Sequence, residues 1–408
     1  FEWFREVTGE NVITMPEYFR KNGYVAYGMG KTYCRTRDLL TDKWKSWDES
    51  WDIEHEPLKN SWKEYTEEEN KKEPLWDYRL IEKVEAIIDQ HANNVSSKPF
   101  FLFTGFKRPH LPWITPKKFF DLYPITDVKT APNQYVPRNS PPSYPGIHNN
   151  PEMFAYEDQK EFQKGHNKNR PVPDQNAKEL RRAYYASVSF IDDLIGQIMT
   201  KLERSGLKDR TIVVFAADHG THLGENNLWG KFTGFEVATR VPLLMSIPGV
   251  TKPNSRTRNF VELVDLFPTL VEAAQLPPVP MCPHVADGWP LCTEGVSILP
   301  LLSGEAPSHW KNRVFWQGGW QYDHKTFTGF TVRTDAYRYT EYIEHTHGFP
   351  KEWPEKPEAT ELYDKERDPG ENINLWNNES YVDVIEDLSG MLHSGWRAAL
   401  PKGILDNI

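Results

Sequence analysis

Apolar positions along the chain follow two rhythms in turn. Leu80, Ile81, Val84, Ile87 and Ile88 repeat at helical spacing, and Lys98-Pro99 then leads into an apolar run over residues 100–106, the pattern of a helix followed by a strand. The same pair returns further on. Tyr184, Val188, Ile191, Leu194, Ile195, Ile198 and Leu202 line one broad face of a helix that begins near Glu179, Gly206 supplies its stop, and residues 211–217 form a continuous β-branched strand. Residues 241–247 predict another such strand, and residues 261–276 another helix with Pro268 inside it. Strands that read apolar on both faces belong in the interior of a sheet covered by helices, so the fold class is α/β.

Near the N-terminal end, Thr14-Met15-Pro16-Glu17 has the form of a capping box, and Tyr18, Phe19 and Gly23 complete a short helix that leads to a strand over 24–29. Residues 62–73 are crowded with charge and predict a solvated insertion. Residues 131–174, rich in Pro, Asn, Ser and charged residues, are too long for a simple connection and predict either a wrapping functional loop or a mobile one. After Ser303-Gly304 the pattern shortens: residues 313–317, 327–333 and 337–343 alternate as antiparallel strands do. Glu361-Leu362-Tyr363-Asp364, a turn at Asp368-Pro369-Gly370 and a helix over 382–392 follow. The chain therefore divides into a larger part, 1–304, and a smaller C-terminal part, 305–408, with an antiparallel sheet and a terminal helix.

Composition narrows the function. The 408 residues carry 48 Lys and Arg against 58 Asp and Glu, a net charge of −10, so no global positive field draws the chain to nucleic acid or an anionic membrane. Apolar stretches fall far short of the ~20 residues that span a bilayer. The sequence opens Phe-Glu-Trp-Phe-Arg, with neither an initiator Met nor a signal-peptide layout, which predicts that a segment lies upstream. Only three Cys occur; Cys282 and Cys292 flank a Pro-rich stretch that a bridge between them would restrain. Asn94-Val95-Ser96 and Asn378-Glu379-Ser380 fit the N-glycosylation pattern, which has meaning in a secretory compartment.

Chemistry-bearing residues gather at strand ends, where open α/β sheets bind ligands. Asp218-His219-Gly220 follows the strand over 211–217, and a carboxylate beside an imidazole suggests a metal, Asp218 suiting Ca²⁺ or Mg²⁺. A plain helix or turn cap is the alternative. Lys231 lies thirteen residues on, after Gly224-Glu225 and Trp229-Gly230, in a loop able to fold back with its ammonium toward the same strand end, where it would hold an oxyanion. Lys107-Arg108-Pro109-His110-Leu111-Pro112 follows the strand over 100–106, its prolines setting the backbone around His110 as an anion contact or general acid. Gly28-Met29-Gly30-Lys31 ends the first strand but lacks the spacing of a nucleotide P-loop. Together Lys31, His110, Asp218, His219 and Lys231 describe a cationic, metal-centred pocket for a sulfate or phosphate ester.

On these residues the chain resembles the sulfatase family. The matching stretches are Asn22-Gly23-Tyr24-Val25 through Gly30-Lys31, Phe106 through Pro112, Tyr185-Ala186-Ser187-Val188-Ser189, Asp218-His219-Gly220 through Leu223-Gly224-Glu225, Val237-Ala238-Thr239 with Val241-Pro242-Leu243, Val261 through Leu270, and Glu361-Leu362-Tyr363. The resemblance implies an alkaline-phosphatase-like sandwich with a central, mostly parallel sheet flanked by helices. It implies that Asp218 and His219 are two ligands of an active-site Ca²⁺, that Lys31, His110 and Lys231 contact the sulfate and serve catalysis, and that Cys282 pairs with Cys292. Implied substrates are sulfated glycosaminoglycans or small sulfate esters, in particular the 2-O-sulfate of iduronate in heparan and dermatan sulfate. Location in the lysosome or outside the cell, and glycosylation at Asn94 and Asn378, follow from the same likeness.

Two departures shape the expectation. Where the family has a histidine shortly after the lysine matching Lys31, this chain has Thr32-Tyr33-Cys34. The family nucleophile is a Cys or Ser in a Cys/Ser-x-Pro/Ala-x-Arg motif, converted to formylglycine by the formylglycine-generating enzyme, and an Asp-Asp pair completes the calcium site. Cys34, Cys282 and Cys292 are followed by the wrong residues, and Asp192-Asp193 falls inside the predicted helix. Both elements are expected upstream of Phe1, which makes the chain by itself inactive on sulfate esters. The alternative is a non-catalytic glycan-binding protein that keeps Lys31, His110 and Lys231.

Overall fold

The computed structural model describes residues 5, 9–33, 36–52, 59–93, 97–141, 151–160, 170–283, 289–305, 307–322, 325–345, 353–354 and 356–401. Cys34 and Asn94, both singled out above, lie outside them.

The first helix, α1 (Met15–Lys21), starts where the Thr14 hydroxyl accepts the Glu17 amide at 3.3 Å and ends at Asn22, after which Gly23 turns the chain at φ 92°. Strand β1 (Val25–Gly30) follows, then α2 (Thr36–Ser46) and β2 (Glu49–Trp51). The charged stretch over 62–73 is not simply a solvated insertion. Its first residues form β3 (Trp62–Tyr65), because Trp62 and Tyr65 carry enough apolar surface to pack on the core, and only the following α3 (Glu67–Lys72), closed by a Thr66–Glu69 capping box, has no buried residue. Then come α4 (Trp76–Ala92), β4 (Phe100–Gly105), β5 (Trp113–Pro116) and the long α5 (Asp174–Arg204). The predicted 131–174 loop contains a short helical turn at Pro151–Phe154, whose Met153 and Phe154 are buried.

Strands β2, β1 and β4 form a parallel sheet in that order, with Tyr27 opposite Glu49 and Leu102. Leu80, Val84, Ile87 and Ile88 of α4 press on Tyr27 and Met29 of β1, joined by Leu202 and Leu207 from the end of α5. Tyr18 and Phe19 of α1 lie with Phe101 of β4 and with α6 (Leu266–Ala273) in another cluster. Helices on both sides of β1 explain why nearly all of it is buried. The predicted helix over 179–202 is the middle of α5, whose inner face of Leu180, Ala183, Ala186, Phe190 and Leu194 packs on Trp113, Phe119 and Phe120.

The two strands expected deep inside one parallel sheet are placed differently. β6 (Val213–Ala216) and β7 (Leu243–Ser246) pair antiparallel with each other, Phe215 opposite Leu244, and these two side chains stay 38% and 60% exposed. Val213 packs on the same helical cluster as Phe100 and Leu102 of β4, so β6 and β4 rest on one layer. Among the described residues, however, no strand pairs with the outer edge of β4 or with the free edge of β6. Their apolar content therefore reports a buried position that the described residues do not complete.

After the short helix Leu299–Ser303, β8 (Arg313–Tyr322), β9 (Lys325–Thr334), β10 (Tyr337–His345) and β11 (Ala359–Asp364) form an antiparallel sheet in the order β11-β10-β9-β8. The alternation of β10 is real, yet its polar side does not face water. Tyr339 packs with Val332 and Leu362 under Leu388 and Leu392 of α7 (Val382–His393), while Arg338, Thr340 and Tyr342 on the other face are equally buried. Cys282 and Cys292 form a disulfide across the Pro-rich stretch.

The end of β1 is set against the end of β4 by direct backbone contact. The Lys31 amide donates to the Gly105 carbonyl at 2.7 Å, and a Cβ on Gly105 would stand 2.1 Å from the Lys31 carbonyl oxygen. Gly30, at φ 85°, faces the same contact. Gly105→Ala is expected to cost more than about 1 kcal/mol, since both neighbours are backbone and cannot swing aside. Urea denaturation of the variant beside the parent measures this.

Candidate active site

Lys31 leaves the end of β1 and Asp218 stands just past the end of β6, and their side chains meet: Lys31 Nζ lies 3.5 Å from Asp218 Oδ2. The Asp218 side chain is 67% exposed, and the protein around it desolvates it enough to raise the cost of charging it, but the ammonium of Lys31, helped by His219 and Lys231, outweighs this and holds the carboxyl below the usual carboxylate range. Lys231 is thus brought to the same strand end. The His219 ring donates from Nδ1 to the Gly220 carbonyl at 2.8 Å, so its Nε2, 3.6 Å from Asp218 Oδ2, carries the lone pair when the ring is neutral. Desolvation lowers the His219 pKa, and the opposing pull of Asp218 does not restore it. Gly220 permits this turn: its amide donates to Ala238 at 2.8 Å, and a Cβ there would stand 2.1 Å from the Val237 carbonyl oxygen.

The loop that returns Lys231 to Asp218 is held from within. His222 donates from Nδ1 to the Glu225 carbonyl at 3.0 Å, and its Nε2 stands 2.8 Å from the Thr233 hydroxyl. Complete burial pushes its pKa down to about 4, so the neutral ring is the stable form at neutral pH. Leu228, Trp229 and Phe235 from the same loop are buried. Phe235 packs on Tyr363 of β11, and the Arg338 guanidinium lies 4.3 Å from the Phe235 ring and 4.5 Å from the Tyr363 ring. Arg338 Nε donates to Glu371 at 2.5 Å, and the other Glu371 oxygen accepts the Glu236 amide at 3.0 Å. The smaller sheet thereby supports the loop of the larger part. Arg338, Glu371 and His222 are positioning residues that the sequence reading missed. A charged residue on the polar side of an alternating strand was the available signal, but nothing in the sequence named its partners.

His110 is placed by its neighbours. Arg108 turns inward, its NH1 pairing with Asp77 of α4 and its Nε donating to the Ile114 carbonyl at 2.7 Å, while the Trp113 indole donates to Pro109 at 2.7 Å. The bonds preceding Pro109 and Pro112 are both cis. His110 donates from Nδ1 to the Leu111 carbonyl at 2.8 Å. The loop starts beside Lys31, because β4 ends against it, but the groups that act on Asp218 are Lys31, His219 and Lys231. Lys31, Asp218, His219 and Lys231 come together, and His110 follows on the loop that begins beside Lys31.

As a cation site the donor set is incomplete. Calcium takes six to eight oxygen ligands, and among the described residues no cluster of three or more His, Cys, Asp or Glu side chains is present. Asp218 and His219 supply one carboxylate and one imidazole, and Lys31 already engages that carboxylate. Asp192 and Asp193 lie within α5, as the sequence predicted, and Cys282 and Cys292 are consumed by their disulfide. What the arrangement does offer is two ammonium groups and an ordered, neutral imidazole around one strand end, a cradle for a small oxyanion.

The sulfatase family profile matches residues 6–276, most of the chain and all of this site. The chain belongs to the sulfatase family. A profile described as N-sulphoglucosamine sulphohydrolase, C-terminal, matches residues 224–396, which include the antiparallel sheet. The iduronate 2-sulfatase of Mus musculus is 29% identical over 466 aligned positions, covering 97% of this chain and 80% of that protein. A structure solved with its substrate D-glucosamine-2-N,6-O-disulfate superposes with a TM-score of 0.67 at 18% identity, over 98% of this chain and 87% of that one. The phosphonate monoester hydrolase of Silicibacter pomeroyi gives 0.68 at 17% identity, over 95% and 80%. The fold is the expected alkaline-phosphatase-like α/β fold, shared with enzymes of different chemistry.

Burial of neutral His222 has a consequence for stability. The unfolded chain binds a proton there near pH 6.5 and the folded one only near 4, so protons favour unfolding in between. This part of the stability is complete above about pH 6.5 and is lost as pH falls toward 4. Melting temperatures measured across that range are expected to drop on the acid side, with a shallower slope in His222→Gln.

Proposed function

We propose that this sulfatase-family protein acts on sulfate esters of glycosaminoglycans, with the 2-O-sulfate of iduronate in heparan or dermatan sulfate as the preferred group. The observation that carries the reading is the convergence of Lys31 and Lys231 on Asp218 and His219. The likeness to iduronate 2-sulfatase over almost the full chain supports the choice of substrate. Residues 1–304 form the catalytic part, and residues 305–408 support the Lys231 loop from beneath.

In this reading Lys31 and Lys231 hold the non-bridging oxygens of the sulfate and offset the charge that builds on them during displacement. Lys231 also lies toward the leaving oxygen of the sugar. His110, fixed as the Nδ1–H tautomer when neutral, is assigned to proton transfer at that oxygen. Asp218 and His219 are assigned to calcium, but they do not complete its shell, so no step is routed through the ion. The nucleophile, a formylglycine made by the formylglycine-generating enzyme, is assigned together with the remaining carboxylates to a segment outside the residues given. The edges of β4 and β6 that no described strand pairs support that assignment. The disulfide and the exposed sequon at Asn378 support passage through the secretory pathway to the lysosome or the cell exterior. No helix among the described residues is long and apolar enough to cross a membrane.

The chain alone is expected to release no sulfate from a 2-sulfated uronate disaccharide. A longer protein carrying an upstream Cys/Ser-x-Pro/Ala-x-Arg motif is expected to do so, and Asp218→Ala in it to lose at least about a hundredfold in kcat with an unchanged circular dichroism spectrum. Full activity of that variant would remove Asp218 from the machinery. A transcript with no such motif would instead favour the glycan-binding reading.

A further inference from the structure

The loop that carries Lys231 hides its large apolar side chains with one exception. Leu228, Trp229 and Phe235 are 2%, 4% and 1% exposed, whereas Phe232 is 48% exposed. Its ring is the large apolar group of this turn that is left half in water. Its position is nonetheless set. The Thr233 amide donates to the Lys231 carbonyl at 2.8 Å, closing a tight turn with Phe232 at its tip, and the Thr233 hydroxyl is tied to the buried His222 at 2.8 Å. The Lys231 ammonium lies 5.7 Å from the centre of the Phe232 ring, and the carbonyl of the preceding Gly230 accepts the His222 amide at 2.7 Å, which draws the turn back to the segment that carries Asp218 and His219. The half-exposed ring therefore shares one tight turn with the ammonium of the proposed cradle.

We infer that Phe232 is a specificity residue: its ring is the platform for the sugar that bears the sulfate, apolar C–H face against aromatic face, so that the site selects sulfate carried on a ring over sulfate carried on a small open chain. The inference rests on the proposed oxyanion cradle and adds the class of group beside it. Axial hydrogens give one face of a pyranose an apolar surface that matches a phenyl ring, while its hydroxyls remain in water at the rim. Lys231 holds the charged end and Phe232 the ring, so one turn reads both parts of the substrate. A small alkyl sulfate would meet the first and leave the second bare.

Binding separates the two parts, and it can be measured without turnover. Inorganic sulfate, methyl sulfate and a 2-sulfated uronate disaccharide are titrated by calorimetry into the protein and into Phe232→Ala, Phe232→Tyr and Lys231→Ala, in calcium-containing buffer. The parent is expected to bind the disaccharide more tightly than either small anion. Phe232→Ala is expected to lose about five- to tenfold for the disaccharide and less than twofold for inorganic sulfate. Phe232→Tyr should keep the disaccharide affinity, and Lys231→Ala should weaken all three. Unchanged disaccharide binding in Phe232→Ala overturns the platform and leaves the cradle standing, as does an equal loss for every probe in Phe232→Ala with Lys231→Ala still behaving as expected. If the parent binds none of the three, the cradle itself is wrong and the platform falls with it.

Discussion

The arrangement of this molecule turns on one buried cation. Arg338 lies between the rings of Phe235 and Tyr363 and is paired with Glu361 and Glu371. Burial opposes its charge, but the two carboxylates outweigh that and keep the guanidinium protonated. The partners come from three pieces of the chain: Phe235 from the loop after Asp218, Tyr363 and Glu361 from the outer strand of the small sheet, and Glu371 from the turn beyond it. Replacing such a cluster with apolar residues need not cost stability, whereas removing one member strands the others. Its value here is positional. It fixes where the loop lies, and through the loop where the Lys231 ammonium stands.

The opposite wall of the cradle is built by backbone instead of by charge. Lys31 reaches Asp218 because β1 ends against β4, amide to carbonyl, at a point where neither Gly30 nor Gly105 can carry a Cβ. A buried ion pair, Arg108 with Asp77, sets the adjoining loop on α4 in a similar way. The site thus combines a rigid strand contact on one side with a braced loop on the other. This suits a task in which preorganised charge has to meet a small anion without rearrangement.

Strands β4 and β6 give the rest of the molecule its meaning. Both are apolar, both rest on α4 and α5, and each has an edge that no described strand pairs. Proteins rarely leave such edges bare, because unpaired amides and carbonyls beside apolar side chains recruit other chains. The cradle lies at the ends of these same strands.

Much of this was legible in the sequence, and the reason is local. The helical spacing over 80–88 and 184–202, the Thr14 cap and the apolar runs at 100–106 and 211–217 each depend on neighbours within a turn or two, so pattern alone predicted their elements. Strand ends also marked Lys31 and Asp218, since a polar group directly after an apolar strand lies at the sheet's rim. Tertiary structure decided what distance along the chain conceals. It turned Arg108 inward, paired β6 with β7 antiparallel, and made a strand of residues 62–65 despite their charges. It also buried the polar face of β10 against a loop a hundred residues away. Desolvation and pairing at such contacts depend on what arrives from elsewhere in the chain, and no local pattern carries that information.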